Sequence, residues 1–334
     1  MKTTGNPNAV ENATSVDPEA LRKFEFYVEN YRQWVSPGLG IANKQIVLGT
    51  EPFVCRFCDG KPPERTFRKR AHAVSELLGN KVIKSLYECD QCNERFSVFE
   101  DDLGKMTLPF RNVGGVAGKN GVPKLLSVSG ESQGKSRMEF KDGALHMSHP
   151  SGDNSFQVDE LAKTITFSYA VQPYRPLGAY KALCKSAFTL LPPDELVHFN
   201  ELKRWLLQDD VTTDQIYGNG CHVCCRSFVP AFRAFAQPLV ILFQRKEQIE
   251  APYMSMFIAF GNISYQIFLP CPAKDEHLRG KAISLLTYPH IYQLQPWRAT
   301  GPILYEQIDL SASERTKSTS GTLNWSYENR IKVE

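Results

Sequence analysis

Two Cys-x-x-Cys pairs constrain this chain more than any other feature of its sequence. They are Cys55 with Cys58 and Cys89 with Cys92, and thirty residues separate the first pair from the second. Four thiolates satisfy Zn²⁺ tetrahedrally, and each pair places two sulfurs on one tight turn. The pattern predicts a closed structural zinc site at these four cysteines. The interval between the pairs is expected to form a β-hairpin that stands on the metal.

Length and composition indicate a globular protein. The chain has 334 residues, 42% of them hydrophobic, a formal net charge of +3 and nine cysteines. Such a length commonly forms two domains, and so small a net charge leaves the question of nucleic acid to local charge. We find no apolar run long enough for a membrane span and no secretory signal. We therefore expect a cytoplasmic protein whose cysteines are metal ligands or buried thiols.

The interval between the cysteine pairs is basic. Its central part, residues 61–84, has a local surplus of +5, from seven basic residues against Glu64 and Glu76. A positive hairpin suits the phosphate backbone of a nucleic acid, while the alternative is an ordinary solvated hairpin. The residues expected to contact DNA are Arg68, Lys69, Arg70, Lys81 and Lys84.

His72 and Asn93 are the candidate catalytic residues. His72 lies in a predicted strand between the cysteine pairs, where a neutral imidazole can accept a proton from water while a divalent metal polarises the scissile phosphate. Asn93 directly follows Cys92 at the start of a predicted helix, and its amide oxygen suits Mg²⁺ or Mn²⁺. The alternatives are a structural histidine and a helix-capping asparagine.

Three motifs combine within residues 53–110. They are Cys55-x-x-Cys58, Ala71-His72-x-x-x-Glu76-Leu77-Leu78-Gly79-Asn80 and Glu88-Cys89-x-x-Cys92-Asn93. Together they resemble the HNH endonucleases, in particular a subgroup with a zinc-braced ββα-metal fold and a CxxC…CxxCN frame. The resemblance implies hydrolysis of DNA phosphodiester bonds, with His72 as the general base, Asn93 as a ligand of a catalytic Mg²⁺ or Mn²⁺, and a structural zinc.

Two positions depart from the pattern of that family. Ala71 stands where many relatives have a carboxylate ligand, and the 84–85 segment stands where an asparagine that orients the base is expected. Asn80 is a candidate replacement for that asparagine. We expect another carboxylate to replace the ligand missing at position 71, and we favour Glu76 because it shares the loop after His72. The other candidate carboxylates are Glu94, Glu100, Asp101 and Asp102.

The pattern along the whole chain predicts an α+β fold. It divides into a disordered tail at 1–16, an N-terminal helix and linker at 17–50, the HNH domain at 51–112, a C-terminal α+β domain at 123–310 and a polar tail at 311–334. The N-terminal helix is predicted from helical spacing of apolar residues and is expected to end at Ser36-Pro37-Gly38. These apolar residues are Leu21, Phe24, Val28, Tyr31 and Val35.

The C-terminal region predicts an antiparallel sheet and a helix pair. Alternating runs over 125–171 predict an antiparallel meander, with the clearest strand at 161–169. Helical spacing over 180–190 and 196–206 predicts two antiparallel helices, and Gly261-Asn262 predicts a two-residue hairpin. The cluster at 221–225, with three cysteines and His222, is interpreted as buried thiols in a turn, because no further metal ligands lie at helpful spacing.

Three hypotheses follow for function. The first is a metal-dependent DNA endonuclease whose C-terminal domain serves regulation or targeting. By analogy with anti-phage defence nucleases, the domain is a candidate binding site for a small-molecule or nucleotide activator that releases a latent nuclease. A hypothesis of another class is a catalytically silent zinc-finger protein that binds nucleic acid. No membrane partner is expected, and the pattern specifies no oligomeric state.

Overall fold

An antiparallel sheet and two packed helices organise the part of the chain that the structure describes. The computed structural model describes residues 16–36, 45–128, 136–150, 153–208, 222–230, 233–281, 283, 286–294 and 301–327. The predicted disordered tail lies outside these residues, apart from Val16. The mixture of helices and antiparallel strands confirms the predicted α+β class.

The described residues form six α-helices, three 3₁₀ turns and fifteen strands. The helices are α1 (Pro18–Asn30), α2 (Asp90–Val113), α3 (Pro176–Leu190), α4 (Asn200–Leu206), α5 (Pro272–Asp275) and α6 (Ile291–Leu294), with 3₁₀ turns at Glu76–Leu78, Pro193–Phe199 and Glu276–Leu278. The first strands are β1 (Tyr31–Val35), β2 (Ile46–Leu48), β3 (Ala71–His72), β4 (Ile83–Ser85), β5 (Leu125–Leu126), β6 (Arg137–Lys141), β7 (Ala144–Ser148) and β8 (Phe156–Asp159). The remaining strands are β9 (Thr164–Val171), β10 (Val223–Phe228), β11 (Phe235–Arg245), β12 (Met254–Gly261), β13 (Ile263–Leu269), β14 (Leu304–Asp309) and β15 (Thr319–Ser326).

The N-terminal helix begins as predicted but ends earlier. The Asp17 carboxylate accepts a hydrogen bond from the Glu19 N–H over 2.9 Å, which caps the helix. Tyr31 then adopts extended backbone, and the segment to Val35 pairs antiparallel with β11. The prediction of helix through Val35 is therefore wrong. Pairing at the edge of the sheet satisfies the backbone groups of this segment, and its aromatic and β-branched residues suit a strand.

The predicted apolar face of this helix is also wrong. Leu21 and Val28 are exposed, whereas Ala20 and Tyr27 are buried. Tyr27 packs its ring against Phe243 of the sheet, with 4.6 Å between ring centroids. The side of α1 that packs on the sheet therefore carries Tyr27, which is not part of the predicted apolar face.

The largest sheet has six described strands in the order β1-β11-β12-β13-β10-β14, and every neighbouring pair is antiparallel. The predicted hairpin joins β12 to β13, and Gly261 adopts a φ of +57°, which favours glycine. Both strands are buried along their whole length, so the centre of this sheet is covered on its two faces. The predicted buried thiols Cys224 and Cys225 lie in β10 and not in a turn, and Cys221 lies outside the described residues.

Residues 125–171 contribute to two small sheets instead of one meander. One sheet has the order β5-β6-β7 and the other β15-β9-β8. The strand predicted at 161–169 begins only at Thr164, since Leu161 lies in the preceding turn and is 99% exposed. Strand β15 comes from the predicted polar tail, and its alternate residues Leu323 and Trp325 turn toward the cluster around Phe167.

Helices α2 and α3 join the cysteine-rich module to the large sheet. Phe57, near the first cysteine pair, packs against Phe96 of α2 and Phe188 of α3, with ring centroids 4.6 and 5.2 Å apart. One buried cluster continues from these rings to strands β12 and β13. Burial of each such ring contributes about 1.5–3 kcal/mol. The core is thus continuous across the predicted boundary between residues 112 and 123, and the division into domains stays a prediction.

Polar contacts fix the direction in which the two helices pack. The Arg175 side chain, at the start of α3, pairs with the buried Asp102 of α2 over 2.8 Å. Near the end of α3, Arg56 donates hydrogen bonds to the carbonyl oxygens of Thr189 and Leu191 over 3.0 and 2.8 Å. Helix α3 therefore runs antiparallel to α2, and its last turns lie beside the cysteine pairs. The predicted pair of helices in the C-terminal region corresponds to α3 and α4.

Candidate active site

The four cysteines meet as the sequence predicts. Their sulfur atoms lie within 4.8 Å of one another, and the Sγ atoms of Cys58 and Cys89 are 3.8 Å apart. Zn–S bonds of about 2.3 Å in a tetrahedron require S···S distances of about 3.8 Å. Cys55, Cys89 and Cys92 are buried, and Cys58 is half-buried. The tetrad is therefore close enough to bind a metal ion, and its geometry fits a closed structural site.

Backbone groups orient the second pair. Cys89 caps α2, and its Sγ accepts a hydrogen bond from the Cys92 N–H over 3.4 Å. The Cys89 N–H points at the Cys55 sulfur over 3.5 Å. Because the N-terminus of a helix carries partial positive charge, it favours thiolates at this position. The helix start thus helps to hold the second cysteine pair in place.

His72 lies on β3, which forms a hairpin with β4 at the edge of a three-stranded sheet of order β2-β4-β3. Ala71 pairs with Ser85, and His72 pairs with Lys84, so the two side chains of the second pair share one face. The His72 Nε2 atom contacts the Lys84 Nζ atom and lies 3.5 Å from a carboxylate oxygen of Glu76. The structure thus brings together His72 and Glu76, two of the predicted catalytic residues.

Asn80 holds the loop between the two strands. Its amide group donates to the carbonyl oxygens of Val74 and Ile83 over 2.7 and 2.9 Å, and its oxygen accepts from the N–H groups of Val82 and Ile83. The side chain is buried. Asn80 therefore acts on the backbone that carries His72 and does not itself hydrogen-bond the imidazole in the described part of the chain.

Helix α2 presents Glu100 to this site. One Glu100 oxygen accepts a hydrogen bond from the Ser75 hydroxyl over 2.8 Å, and the other lies 3.3 Å from the Lys185 ammonium. Asn93 lies in the first turn of the same helix, seven residues before Glu100 and therefore about 10 Å away along the axis. Within the described ranges no hydrogen bond joins the Asn93 side chain to His72. Its predicted role as a catalytic metal ligand stays a prediction.

The other candidate carboxylates point elsewhere. Asp101 pairs with Lys105 over 2.6 Å on the exposed face of α2, and Asp102 holds the start of α3. Glu94 is exposed. The favoured residue, Glu76, does lie beside His72, but it also pairs with Lys81 over 2.7 Å. Of the five candidates, Glu76 and Glu100 are thus the two that neighbour the hairpin.

Lys185 is the site residue that the sequence analysis missed. It lies on α3, is 1% exposed, and donates a hydrogen bond to the His72 carbonyl oxygen over 3.4 Å. It also forms ion pairs with Glu88 and Glu100 over 2.9 and 3.3 Å. Burial lowers the pKa of Lys185, but the two carboxylates outweigh it, and the net shift is upward. The available signal is the pair of lysines, Lys181 and Lys185, inside a largely apolar helix.

Burial and charge keep the imidazole neutral. Burial is the largest cause that lowers the pKa of His72 to about 4, and the Lys84 ammonium lowers it further, while Glu76 and Glu100 act in the opposite direction. The imidazole is therefore unprotonated at neutral pH. Since Nε2 faces an ammonium group, it is the acceptor nitrogen, and the proton resides on Nδ1. A neutral imidazole of this kind can accept a proton from water.

The predicted DNA-binding residues divide into two groups. Arg68, Lys69 and Arg70 are exposed, and the Asp90 carboxylate fixes their segment by accepting the N–H groups of Arg68 and Lys69 over 3.1 and 2.9 Å. The other two, Lys81 and Lys84, lie at the hairpin beside Glu76 and His72. The first group can meet a phosphate backbone, and the second belongs to the candidate site itself.

The carboxylates near His72 are engaged by lysine ammonium groups, which disfavours a catalytic divalent metal at this position. Among the described residues, only the four cysteines bring three or more His, Cys, Asp or Glu ligand atoms within 4.8 Å of one another. Near His72, the Glu76 carboxylate is already paired with Lys81, and Glu100 is paired with Lys185. Mg²⁺ is usually held by one or two carboxylates together with waters, so a metal ion at His72 would compete with these lysines for Glu76 and Glu100.

The remaining thiols and histidines form no comparable cluster within the described residues. His222 packs its ring against Tyr180 and Trp205, with centroid distances of 5.0 and 6.2 Å. Cys224 and Cys271 are buried, and burial raises the pKa of Cys271 to about 12. These groups are part of the core, in agreement with their interpretation as structural residues.

Comparisons of the chain with models of known protein families, with curated proteins and with solved structures found no match. No helix among the described residues combines the length and apolar character needed to cross a membrane.

Proposed function

We propose that this chain is a DNA endonuclease of the HNH type, which hydrolyses phosphodiester bonds with His72 as the general base. The observation that carries the proposal is the position of His72. It lies on a β-hairpin followed by a helix, its imidazole is neutral, and Glu76 and Lys84 flank its acceptor nitrogen. Such a base can remove a proton from water when the water attacks phosphorus.

In this proposal the cysteine tetrad binds structural zinc. Thiolate ligands and a tetrahedral arrangement favour Zn²⁺ over harder cations. The metal ties the turn at Cys55 and Cys58 to the first turn of α2. Because β3 and β4 lie between the two cysteine pairs in sequence, the metal also anchors the hairpin that carries His72 against that helix.

The exposed residues Arg68, Lys69 and Arg70 are proposed to bind the DNA backbone. They directly precede β3, so a phosphate that they contact would lie near the strand that carries His72. Contacts of this type position a duplex without reading its bases. They support DNA as the partner and predict binding with little sequence preference.

The C-terminal body, defined as residues 123–327, is proposed to regulate or target the nuclease. A cavity of about 770 Å³ lies between the end of α2 and strands β6, β14 and β15, and aromatic rings of Phe110, Phe140 and Trp325 line it together with Arg226. Nucleobases stack on aromatic side chains, so this cavity is the place in the body that suits a small-molecule or nucleotide activator. Mass spectrometry of small molecules released from purified protein tests this part of the proposal.

Plasmid nicking tests the catalytic assignment. Wild-type protein is expected to nick supercoiled DNA, and His72→Ala is expected to abolish nicking while zinc content and melting temperature stay unchanged. His146→Ala is the matched control, since that exposed histidine contacts only the Lys141 carbonyl, over 3.2 Å, among the described hydrogen bonds. Full activity of His72→Ala would show that the assignment is wrong.

A catalytically silent, zinc-dependent DNA-binding protein is the second candidate. The contact between Lys84 and the Nε2 atom of His72 favours it, because an ammonium group at that position occupies the lone pair needed for base catalysis. This candidate predicts that wild-type protein and His72→Ala bind a duplex equally and that neither nicks it under any metal condition. Gel-shift and nicking assays on the same samples distinguish the two functions.

A further inference from the structure

The charges around His72 are balanced by protein groups in the described part of the chain. The carboxylates are Glu76, Glu88 and Glu100, and the ammonium groups are Lys81, Lys84 and Lys185. Lys81 is paired with Glu76, and Lys185 is paired with both Glu88 and Glu100. With the imidazole neutral and all three carboxylates ionised, the formal charge of this set is zero, and burial raises the pKa of Glu88 to about 7. A divalent cation would have to displace ammonium groups from each of these carboxylates.

Lys84 differs from the other two lysines. Lys81 and Lys185 each have a carboxylate within ion-pair distance, whereas Lys84 has none within 4.0 Å among the described residues. Its half-buried ammonium instead faces the neutral Nε2 atom of His72. A half-buried cation with no carboxylate in direct contact gains more from an arriving anion than a paired one does, because no ion pair has to be broken first.

We infer that Lys84 is a catalytic residue, which binds the scissile phosphate and stabilises the charge that develops there, so that cleavage needs no divalent cation beside His72. The inference rests on the proposed nuclease function. The position of Lys84 supports it directly, since it lies opposite the base in the β3–β4 pair and both side chains share one face. An ammonium group in this position supplies the positive charge that a metal ion would otherwise contribute.

The same contact explains how the base becomes available. In the free protein, Lys84 occupies the Nε2 lone pair of His72. A phosphodiester is an anion and therefore a stronger partner for the ammonium than a neutral imidazole. Substrate draws the Lys84 ammonium to a non-bridging phosphate oxygen and leaves the lone pair open to water.

The chemical step is a balanced hydrolysis. The His72 Nε2 atom accepts a proton from water while the water oxygen forms a bond to phosphorus. The bond from phosphorus to the leaving 3′ oxygen breaks, and that oxygen takes a proton from solvent. His72 then returns its proton to solvent, and the products are a 5′-phosphate and a 3′-hydroxyl. Lys84 remains protonated throughout and contributes by charge alone.

The first experiment measures nicking by full-length protein in buffer freed of divalent cations by a chelating resin. Zinc content is measured on the same sample, so that loss of the structural metal is recognised. The inference expects roughly equal nicking rates with and without added Mg²⁺. Activity that appears only with Mg²⁺ or Mn²⁺ would overturn the inference and leave the proposed nuclease function standing. No nicking under any metal condition would overturn both.

Substitutions then test Lys84 itself. Lys84→Met is expected to lower kcat about 10²–10³-fold, as loss of a charge-stabilising group does, with little change in KM. Lys84→Arg retains the charge and is expected to keep most of the activity. Lys317→Met removes an exposed charge elsewhere and serves as the control. A Lys84→Met protein with normal zinc content and wild-type kcat would refute the role of Lys84.

Discussion

Lys185 of α3 donates a hydrogen bond to the carbonyl oxygen of His72 over 3.4 Å, although 113 positions separate the two residues in the chain. The C-terminal body thus holds the backbone of the candidate catalytic strand directly. Since the same ammonium group also pairs with Glu88 and Glu100, one side chain joins β3, the start of the second cysteine pair and the middle of α2.

Removal of the Lys185 charge is expected to destabilise the protein strongly. Lys185→Met leaves Glu88 buried without its partner, and breaking a buried ion pair from one side costs about 3–5 kcal/mol. Urea denaturation measures the free energy of unfolding. The double substitution Lys185→Met with Glu88→Gln is expected to recover part of the loss, because no uncompensated carboxylate then remains at position 88. Equal stabilities of the single variant and the wild type would contradict the buried pair.

The cysteine tetrad predicts one tightly bound zinc ion per chain. Cys89→Ser removes a ligand that also caps α2, so zinc content is expected to fall and nicking to be lost, because the hairpin is no longer anchored to the helix. Cys225→Ser is the matched control, since Cys225 is a buried thiol outside the tetrad. Elemental analysis measures the metal. Unchanged zinc in Cys89→Ser protein would mean that Cys89 is not a ligand.

Asn80→Ala is expected to loosen the loop that connects the two hairpin strands. The substitution leaves buried carbonyl and N–H groups of Val74, Val82 and Ile83 without their partner, at a cost of about 1–3 kcal/mol. Because this loop follows His72, kcat is expected to fall together with stability. Thermal unfolding and nicking assays measure the two effects. Asn200→Ala, which loses one exposed hydrogen bond to Val197, is the control.

The pH dependence of nicking follows from the lowered pKa of His72. The base acts in its unprotonated form, so a pKa of about 4 keeps it active through mildly acidic pH, and the rate falls only as pH approaches that value. Lys84 and Lys185 lower this pKa, while Glu76 and Glu100 raise it. Lys84→Met is therefore expected to move the acid limb of the pH–rate profile to higher pH. Lys84→Arg keeps the charge and is expected to leave that limb in place. A limb at the ordinary histidine pKa in wild-type protein would contradict the burial of the base.

The segment Arg68–Arg70 predicts a salt-dependent contact with DNA. Neutralising all three residues with glutamine is expected to weaken binding and to reduce the slope of log affinity against log salt by about 2–3, since each phosphate contact contributes about 0.9. Fluorescence anisotropy with a labelled duplex at several salt concentrations measures the slope. At saturating DNA, kcat is expected to change little, because these side chains lie outside the site around His72. An unchanged slope would place the DNA elsewhere on the protein.

Much of the cysteine-rich module could be predicted from local pattern. The spacing of Cys55, Cys58, Cys89 and Cys92 specifies a tetrad, and the structure brings their sulfur atoms together. The helix that begins beside Asn93 and the strand that carries His72 were also predicted. The N-terminal helix was predicted too long because helical spacing alone does not show that residues 31–35 pair with β11. Pairing between strands about 200 positions apart in the chain depends on the whole sheet.

The sequence by itself determined the cysteine tetrad, the α+β class and the presence of His72 on a strand between the cysteine pairs. These features depend on ligand spacing and on local backbone preferences, which neighbouring residues specify. Only the tertiary structure placed Glu100 and Lys185 beside the hairpin and left Lys84 without a carboxylate partner among the described residues. It also made His72 a neutral base, because burial and the charges of distant elements set its pKa, and neither is encoded in the residues adjacent to it.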